Sequence, residues 1–259
     1  MHSKPLFHRH PQLLELYGVI GKPLAHSLSA DYFTHKFASE GELHMREYRK
    51  MELESIEELQ ALLSSHPNLR GLNVTHPYKE QIIPLLTRLS EAAERIGAVN
   101  CVCIKPDGTT TGYNTDYEGF SMALSDFLLN ERPQALVLGT GGASKAVQAA
   151  LADKGIGFLT VSHSGKGELS YEELTSEIVE SHNLIINATP LGMHPNEAEC
   201  PPFPYELLTS EHYLFDLIYN PATTEFLRRG QLKDARICNG QKMFVYQAEA
   251  SWRHFGNRH

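Results

Sequence analysis

At 259 residues, with 41% hydrophobic and 21% charged residues, the chain has ordinary globular composition and room for one large domain or two modest ones. A formal net charge of -8 and a pI near 5.9 leave no basic footprint for nucleic acid. No apolar run reaches the ~18 residues of a membrane span, and residues 1–11 are polar and His-rich instead of forming a signal core, so no membrane partner is expected and the expected address is cytoplasmic.

The predicted elements open with a strand over 16–20, a helix over 29–39, a strand over 43–48, a helix over 56–64 and a strand over 69–74. Strands alternating with helices at this spacing predict right-handed βαβ units in a mostly parallel sheet. Short helices over 81–86 and 91–96 follow. A strand over 98–104 is then joined by the turn Lys105-Pro106-Asp107-Gly108 to a second strand over 109–113, as a hairpin. A helix over 117–129, capped by Thr115 or Asp116, leads into a new α/β pattern that begins at Ala135. Strands over 135–138, 158–162, 184–187 and 213–218, with helices over 145–154 and 171–179, outline a doubly wound nucleotide-binding sheet. Pro201-Pro202-Phe203-Pro204 marks a rigid loop, and 243–255 reads as an amphipathic helix with Phe244, Gln247, Ala248 and Ser251 near one face. The expected fold class is α/β with two α/β domains: an N-terminal, mostly parallel substrate-binding sheet and a Rossmann-like dinucleotide-binding domain. The change of domain is placed along the helix over 117–129.

Four cysteines, Cys101, Cys103, Cys200 and Cys238, are too few for a disulfide framework and are read as buried thiols. None of the fourteen histidines falls in H-E-x-x-H spacing, so no metal is expected.

The strongest local signal is Leu136-Val137-Leu138-Gly139-Thr140-Gly141-Gly142-Ala143-Ser144-Lys145, an apolar strand, a glycine turn and a helix start in succession. Gly139 permits a tight turn, Gly141 lets backbone approach a pyrophosphate, and the helix N-terminus offers free N–H groups to the anion. Ser144 stands where the dinucleotide fingerprint usually has Gly or Ala. Some 20 residues on, a carboxylate would bind both ribose hydroxyls of NAD. This chain has Ser162-His163-Ser164-Gly165-Lys166 instead, hydroxyl donors and a cation that suit a 2′-phosphate, so NADP is the expected cofactor.

In the first half, four loops are placed to converge on one cleft at strand ends: 21–29 with Lys22 and Ser27, 71–79 with Asn73 and Lys79, 97–100, and 112–116. On these residues the chain resembles the shikimate dehydrogenases. The shared patterns are H-S-L-S (26–29), N-V-T-H-P-Y-K (73–79), G-A-V-N (97–100), G-Y-N-T-D (112–116), G-T-G-G-A-S (139–144), N-A-T-P-L-G-M (187–193), D-L-I-Y-N-P (216–221) and M-F-V-Y-Q (243–247). They run in order through essentially the whole chain beyond the first dozen residues.

The resemblance implies NADP-dependent, reversible reduction of 3-dehydroshikimate to shikimate, in the pathway to chorismate and the aromatic amino acids. It implies that Ser27 and Ser29 bind the substrate carboxylate with help from Tyr219, and that Asn73, Thr75, Asn100, Asp116 and Gln247 hold ring hydroxyls. Lys79 and Asp116 match the catalytic pair. Gly139, Thr140, Gly141, Gly142, Ala143 and Ser144 match the phosphate loop, with Ser162, His163, Ser164 and Lys166 at the ribose end. Asn187, Ala188, Thr189, Pro190 and Met193, with Ile218, Gly240 and Met243, match the wall near the nicotinamide. A returning C-terminal helix would make the substrate domain discontinuous, residues 1–116 with 239–259, around a cofactor domain over 117–238.

Two departures stand out: the family commonly has N-R-T where Ser162-His163-Ser164 stands here, and Gly where Lys242 stands. Lys79 is expected to donate a proton to the developing alkoxide, and the reverse oxidation to speed up toward alkaline pH. Alternatives are a broader quinate/shikimate dehydrogenase using NAD, a catalytically silent metabolite-sensing relative, and a folate-interconverting dehydrogenase. The retained Lys79 and Asp116 argue against the second, and the serine and asparagine pattern against the third. The chain is expected to work as a monomer or homodimer.

Overall fold

The computed structural model describes residues 14–25, 27–129 and 131–256, so the polar segment 1–11 and His26 of the H-S-L-S pattern lie outside the described residues. Six strands form the first sheet: β1 (Glu15–Gly21), β2 (Arg46–Glu52), β3 (Leu69–Val74), β4 (Arg88–Leu89), β5 (Cys101–Ile104) and β6 (Thr110–Tyr113). Their spatial order is β2-β1-β3-β5-β6-β4. β1 runs parallel to β2 and β3, and β4 to β6, while β3/β5 and β5/β6 are antiparallel. Side chains alternate across a strand, so β1 sends Leu16 and Ile20 into one core with Leu72 and Val74, and Tyr17 and Val19 into another with Phe33, Phe37 and Phe255. Helices α1 (Ser29–Ser39), α2 (Leu59–Ser65) and α3 (Glu91–Ile96) belong to this half.

The second sheet is wholly parallel: β7 (Ala135–Leu138), β8 (Phe158–Val161), β9 (Leu184–Asn187), β10 (Tyr213–Asp216) and β11 (Arg236–Cys238), in the order β11-β10-β9-β7-β8. A single parallel bridge from Val161 to Leu169 adds a rudimentary strand outside β8. With it the order becomes that of a Rossmann sheet, and the chain reverses its direction of winding between β7 and β9, where such sheets bind ligands. All-apolar β7 (ALVL, every residue buried) is what a strand covered on both faces requires.

Two long helices, α4 (Thr115–Leu128) and α8 (Gln241–Gly256), lie side by side between the halves. α4 puts Phe120, Ala123, Leu124 and Leu128 into the core of the second sheet. α8 puts Met243 into that same core but Ala248 and Phe255 into the core of the first sheet. Glycines make both contacts possible. A Cβ at Gly119 would stand 2.7 Å from the Met243 carbonyl, and one at Gly71 would stand 2.3 Å from the Phe255 ring.

Several expectations shift, each for a local reason. The strand expected over 43–48 is β2 at Arg46–Glu52: Leu43 and Met45 are exposed, and pairing with β1 draws a charged segment into an edge strand that the alternation of side chains does not announce. The helix expected over 81–86 shrinks to one 3-10 turn, Ile83–Leu85, at Pro84, and β4 follows it. The helix over 171–179 splits into a 3-10 turn, Tyr171–Glu173, and α6 (Ser176–Ser181), because Thr175 caps a new start with its side chain. α7 (Glu225–Gln231) and β11 were not expected. α4 is capped by Asn114, whose Oδ1 accepts from the Tyr117 N–H at 3.0 Å, and not by Thr115 or Asp116, which are already helical. Cys101 and Cys103 are buried as expected, whereas Cys200 and Cys238 are half-buried. No helix among the described residues is long and apolar enough to cross a membrane.

Candidate active site

Lys79 follows β3 in the loop that starts at Thr75, and Asp116 is the second residue of α4. Their side chains meet: Lys79 Nζ donates to Asp116 Oδ2 at 2.6 Å, with side-chain exposures of 19% and 12%. The backbone holds this loop in place, since the Lys79 carbonyl accepts from the Val99 N–H at 2.8 Å and the Thr75 N–H donates to Ile20 at 2.9 Å. A salt bridge this sheltered is oriented and still reachable by a small molecule.

A buried polar chain reaches Thr115, the residue next to Asp116. The Tyr48 hydroxyl donates to Asn73 Oδ1 at 2.7 Å, and Asn73 Nδ2 donates to Ser251 Oγ at 2.8 Å and to the Asn100 carbonyl at 3.3 Å. Ser251 Oγ shares a hydrogen bond with Thr115 Oγ1 at 2.9 Å, and Asn100 Oδ1 accepts from the Thr115 N–H at 2.6 Å. Strands β2 and β3, Asn100 just before β5, and helices α4 and α8 are thereby joined next to Asp116, at its neighbour Thr115. Burial pushes the Tyr48 phenol well above its ordinary value, with the Ser29 hydroxyl opposing that rise, which places Ser29 at the same cluster. Asn73 and Asn100 are both buried, with their amides engaged in this network, whereas Thr75, Ser27 and Ser29 are only partly covered.

Tyr219 brings the second half to this place. Its ring lies 4.7 Å from that of Phe244, burial raises its phenol, and the Leu28 N–H between Ser27 and Ser29 opposes that rise, while the Asp116 charge adds to it. Gln247 sits on α8 where that helix crosses Gly119 of α4.

The glycine turn adjoins the pair from the other side. Gly139 has φ +105°, open to glycine alone at no strain, and a Cβ there would lie 3.1 Å from the Ala188 carbonyl. Around Gly141, the N-cap of α5 (Gly142–Asp153), a Cβ would meet nothing within 4 Å, which leaves a cradle of free helix N–H groups. A Cβ at Gly142 would touch the Lys79 Cβ at 3.4 Å and its Cδ at 3.5 Å, so the aliphatic stem of Lys79 packs beside the glycine turn. Thr140 lies in this turn, and Ala143 is the second residue of α5. Ser144 is fully buried and closes the turn by donating to the Gly139 carbonyl at 2.7 Å, the reason a hydroxyl is tolerated where Gly or Ala is usual. The ion pairs Lys145–Glu80 (2.7 Å) and Arg95–Asp153 (2.6 Å) tie α5 to the first half.

The wall opposite is built on Asp216, fully buried at the end of β10. It accepts from Thr224 Oγ1 at 2.5 Å, the Ile218 N–H at 3.0 Å and Asn187 Nδ2 at 3.1 Å. Burial pushes its carboxyl up to about 6. Asn187 Oδ1 in turn accepts from the Thr189 N–H and hydroxyl, which shapes the turn carrying Ala188, Pro190 and exposed Met193. Gly240 packs on Leu217 and Ile218, where any Cβ would strike the Leu217 carbonyl at 2.1 Å, and Met243 is buried in the core beside it. At the far end of the cradle, after β8, Ser162 and Ser164 share a 2.7 Å hydrogen bond and His163 is exposed over Tyr171. Lys242 turns to the surface, pairing with Asp126 of α4 at 2.9 Å.

Three residues of this arrangement were not singled out for a role from the sequence: Tyr48, Ser251 and Asp216. Asp216 had a signal, a lone carboxylate ending the apolar strand YLFD, and Ser251 had its place on the Gln247 face of the C-terminal helix; Tyr48 had none, because only tertiary packing brings it to Asn73.

The residues present fit a dinucleotide: a positive-φ glycine turn, an open cradle at a helix N-terminus, and parallel strand ends at a reversal of winding. Comparison with known proteins narrows this. A family model described as the shikimate dehydrogenase substrate binding domain matches residues 19–102. A shikimate dehydrogenase (NADP(+)) of Clostridium beijerinckii is 38% identical over 250 residues, 91% of this chain and 89% of that protein. The crystal structure of shikimate 5-dehydrogenase from Thermus thermophilus in complex with NADP(H) and shikimate superposes with a TM-score of 0.82 at 30% identity, covering 94% of each chain. Quinate dehydrogenase from Corynebacterium glutamicum in complex with NAD gives a TM-score of 0.81 at 28% identity, again over 94% of each chain. Sequence similarity along nine-tenths of the chain, with the same two-sheet architecture, leads to one conclusion: the chain belongs to the shikimate dehydrogenase family.

Proposed function

We propose that this chain catalyses the reversible reduction of 3-dehydroshikimate to shikimate with NADPH, a step in aromatic amino-acid biosynthesis. The observation that carries the proposal is the sheltered Lys79–Asp116 pair, 2.6 Å apart, with the stem of Lys79 packed beside the glycine turn, in a member of this family. NADPH, when bound, supplies the hydride. The protein supplies the rest. Lys79 Nζ delivers a proton to the carbonyl oxygen as it becomes an alkoxide and recovers one from water after release. Asp116 accepts from Lys79, which aims the ammonium, and accepts a second hydrogen bond from a ring hydroxyl. Ser27 and Ser29, with the Tyr219 hydroxyl, take the carboxylate, and Asn73, Thr75, Asn100 and Gln247 take the ring hydroxyls, Asn73 and Asn100 being held for that role by the buried network around Ser251 and Thr115.

The Gly139–Ser144 turn would hold the cofactor's pyrophosphate, the Asn187, Thr189 and Ile218 wall would flank its nicotinamide, and Ser162–Lys166 would meet its adenosine ribose. The same proposal divides the chain into a substrate unit, 1–116 with 239–259, and a cofactor unit, 117–238. The return of α8 to the first sheet through Gly71 and Phe255 supports that division. Oxidation of shikimate releases one proton, so raising the pH by one unit moves the equilibrium about tenfold toward 3-dehydroshikimate.

The test is the rate of NADPH formation from NADP and shikimate. No turnover by folded protein contradicts the proposal. A second reading, oxidation of quinate with NAD, is favoured by the likeness to the Corynebacterium quinate dehydrogenase and by a histidine, not an arginine, at position 163. Initial rates with shikimate and quinate, each with NADP and NAD, decide between them.

A further inference from the structure

Edge strand β2 reads Arg46-Glu47-Tyr48-Arg49-Lys50-Met51-Glu52, and Tyr48 is its one buried residue. Charged side chains suit an exposed sheet edge, so a tyrosine drawn inward from such a strand needs a separate reason. Its ring stacks on that of Phe33 at 4.6 Å and 11°. Phe33 lies one turn after Ser29 on the same face of α1. At the far end of the ring, the Tyr48 hydroxyl meets that of Ser29 and donates to Asn73 Oδ1 at 2.7 Å. One side chain therefore spans from the start of α1, with its carboxylate-binding serine, to Asn73 near the end of β3. The chemistry of hydride and proton transfer makes no use of this phenol.

The bonds around Asn73 fix what its amide can offer a ligand. A backbone carbonyl only accepts, so the atom 3.3 Å from the Asn100 carbonyl is the amide nitrogen, whose other proton goes to Ser251 Oγ at 2.8 Å. The amide oxygen has two lone pairs, and the Tyr48 hydroxyl takes one of them. Burial holds that phenol well above its ordinary value, so it keeps its proton through neutral pH and stays a donor. One lone pair of Asn73 remains, on a residue 7% exposed. Asn73 can accept from a hydroxyl there and has no proton left to give. Asn100 is set the other way: its Oδ1 accepts from the Thr115 N–H at 2.6 Å, and its Nδ2 donates one proton to Thr115 Oγ1 at 3.0 Å and keeps a second. We propose that Tyr48 is a positioning residue for the substrate: by pinning the Asn73 amide oxygen and packing on the start of α1, it sets the distance between the carboxylate clamp and an acceptor that serves one ring hydroxyl. This inference rests on the dehydrogenase reading above and adds to it a residue that touches neither substrate nor cofactor.

The experiment is a double-mutant cycle on the full chain: parent, Tyr48→Phe, Asn73→Ala and the double variant. Each is read by the shikimate Kd in calorimetry, by steady-state rates and by thermal melting. Tyr48→Phe keeps the stacked ring and removes one hydrogen bond, so the Kd and KM for shikimate should rise about three- to tenfold. The kcat and the KM for NADP should stay within about twofold of the parent's, a split that general loosening of the fold does not produce. In the Asn73→Ala background the same change should alter shikimate affinity by less than about twofold, because Tyr48 acts through that amide. Asn73→Ala removes the centre of a buried network, so the contact is also cut from its other end, with shikimate analogues that each lack one ring hydroxyl. For one of these analogues the Tyr48→Phe penalty should vanish. Unchanged shikimate affinity in Tyr48→Phe overturns the inference. So does a penalty that persists undiminished in folded Asn73→Ala protein or with every analogue, or one that NADP shares equally. Any of these results in a parent that oxidises shikimate leaves the proposed activity standing. A folded parent that neither binds nor oxidises shikimate or quinate refutes that activity, and the role of Tyr48 with it.

Discussion

Replacing Lys79 with Met removes the ammonium and keeps most of the side-chain bulk. The pair it breaks is 2.6 Å long and mostly shielded, at 19% and 12% side-chain exposure, so two effects are expected and can be separated. Loss of a positioned proton donor lowers rates by about 10²–10⁴. At about 1.36 kcal/mol per decade, that is roughly 2.7 to 5.4 kcal/mol of transition-state stabilisation. Asp116 also loses its counter-ion. Breaking a fully buried pair from one side costs about 3–5 kcal/mol, and residual water contact here reduces that to about 1–3 kcal/mol. A chain of this size then melts a few degrees to roughly 10 °C lower. The assay combines steady-state shikimate oxidation with thermal melting of Lys79→Met and of the double variant Lys79→Met/Asp116→Asn. The single variant should lose at least about a hundredfold in kcat, with the KM for shikimate changed only a few-fold. The double variant should recover melting temperature but no turnover. A folded Lys79→Met protein with kcat within about fivefold of the parent would remove Lys79 from the proton transfer.

Gly119→Ala should cost about 1–3 kcal/mol and raise the KM for shikimate, because the new Cβ meets the Met243 carbonyl at 2.7 Å and the Gln247 N at 2.8 Å, backbone atoms that cannot rotate away. Unchanged melting and KM would contradict the close crossing of α4 and α8. Ser251→Ala leaves the Asn73 amide without its 2.8 Å partner in a fully buried place, a loss of about 1–3 kcal/mol. The KM for shikimate should rise more than kcat falls, since Ser251 acts through Asn73 and Thr115. Burial raises Asp216 from an ordinary 3.8 to about 6, so the folded protein binds this proton more tightly than the unfolded chain. Its contribution is therefore most favourable below about pH 4 and is lost as pH rises to about 6, by roughly 3 kcal/mol in all. The melting temperature of Asp216→Asn relative to the parent should accordingly climb over that window, and a constant difference between the two would show that Asp216 does not titrate there.

Much of this molecule is decided by local sequence. The apolar strand, positive-φ glycine and helix start at 136–145 form one unit whose geometry follows from contacts between near neighbours, and Ser90, Asn114 and Thr224 cap their helices from one residue away. The Lys79–Asp116 pairing is an expectation carried by resemblance, because 37 residues separate the two and no periodicity links them. Tertiary structure alone settled the rest. Charged Arg46–Glu52 is a strand because β1 offers it a ladder, outweighing a side-chain pattern that favours Leu43 and Met45. Ser251 reaches Asn73 across 178 residues only because Gly71 and Gly119 let α8 lie against both the first sheet and α4. Capping, turns and apolar alternation act over a few residues and can be read along a chain. The approach of two helices is limited by atoms from distant segments, and those meet only once the whole chain has packed.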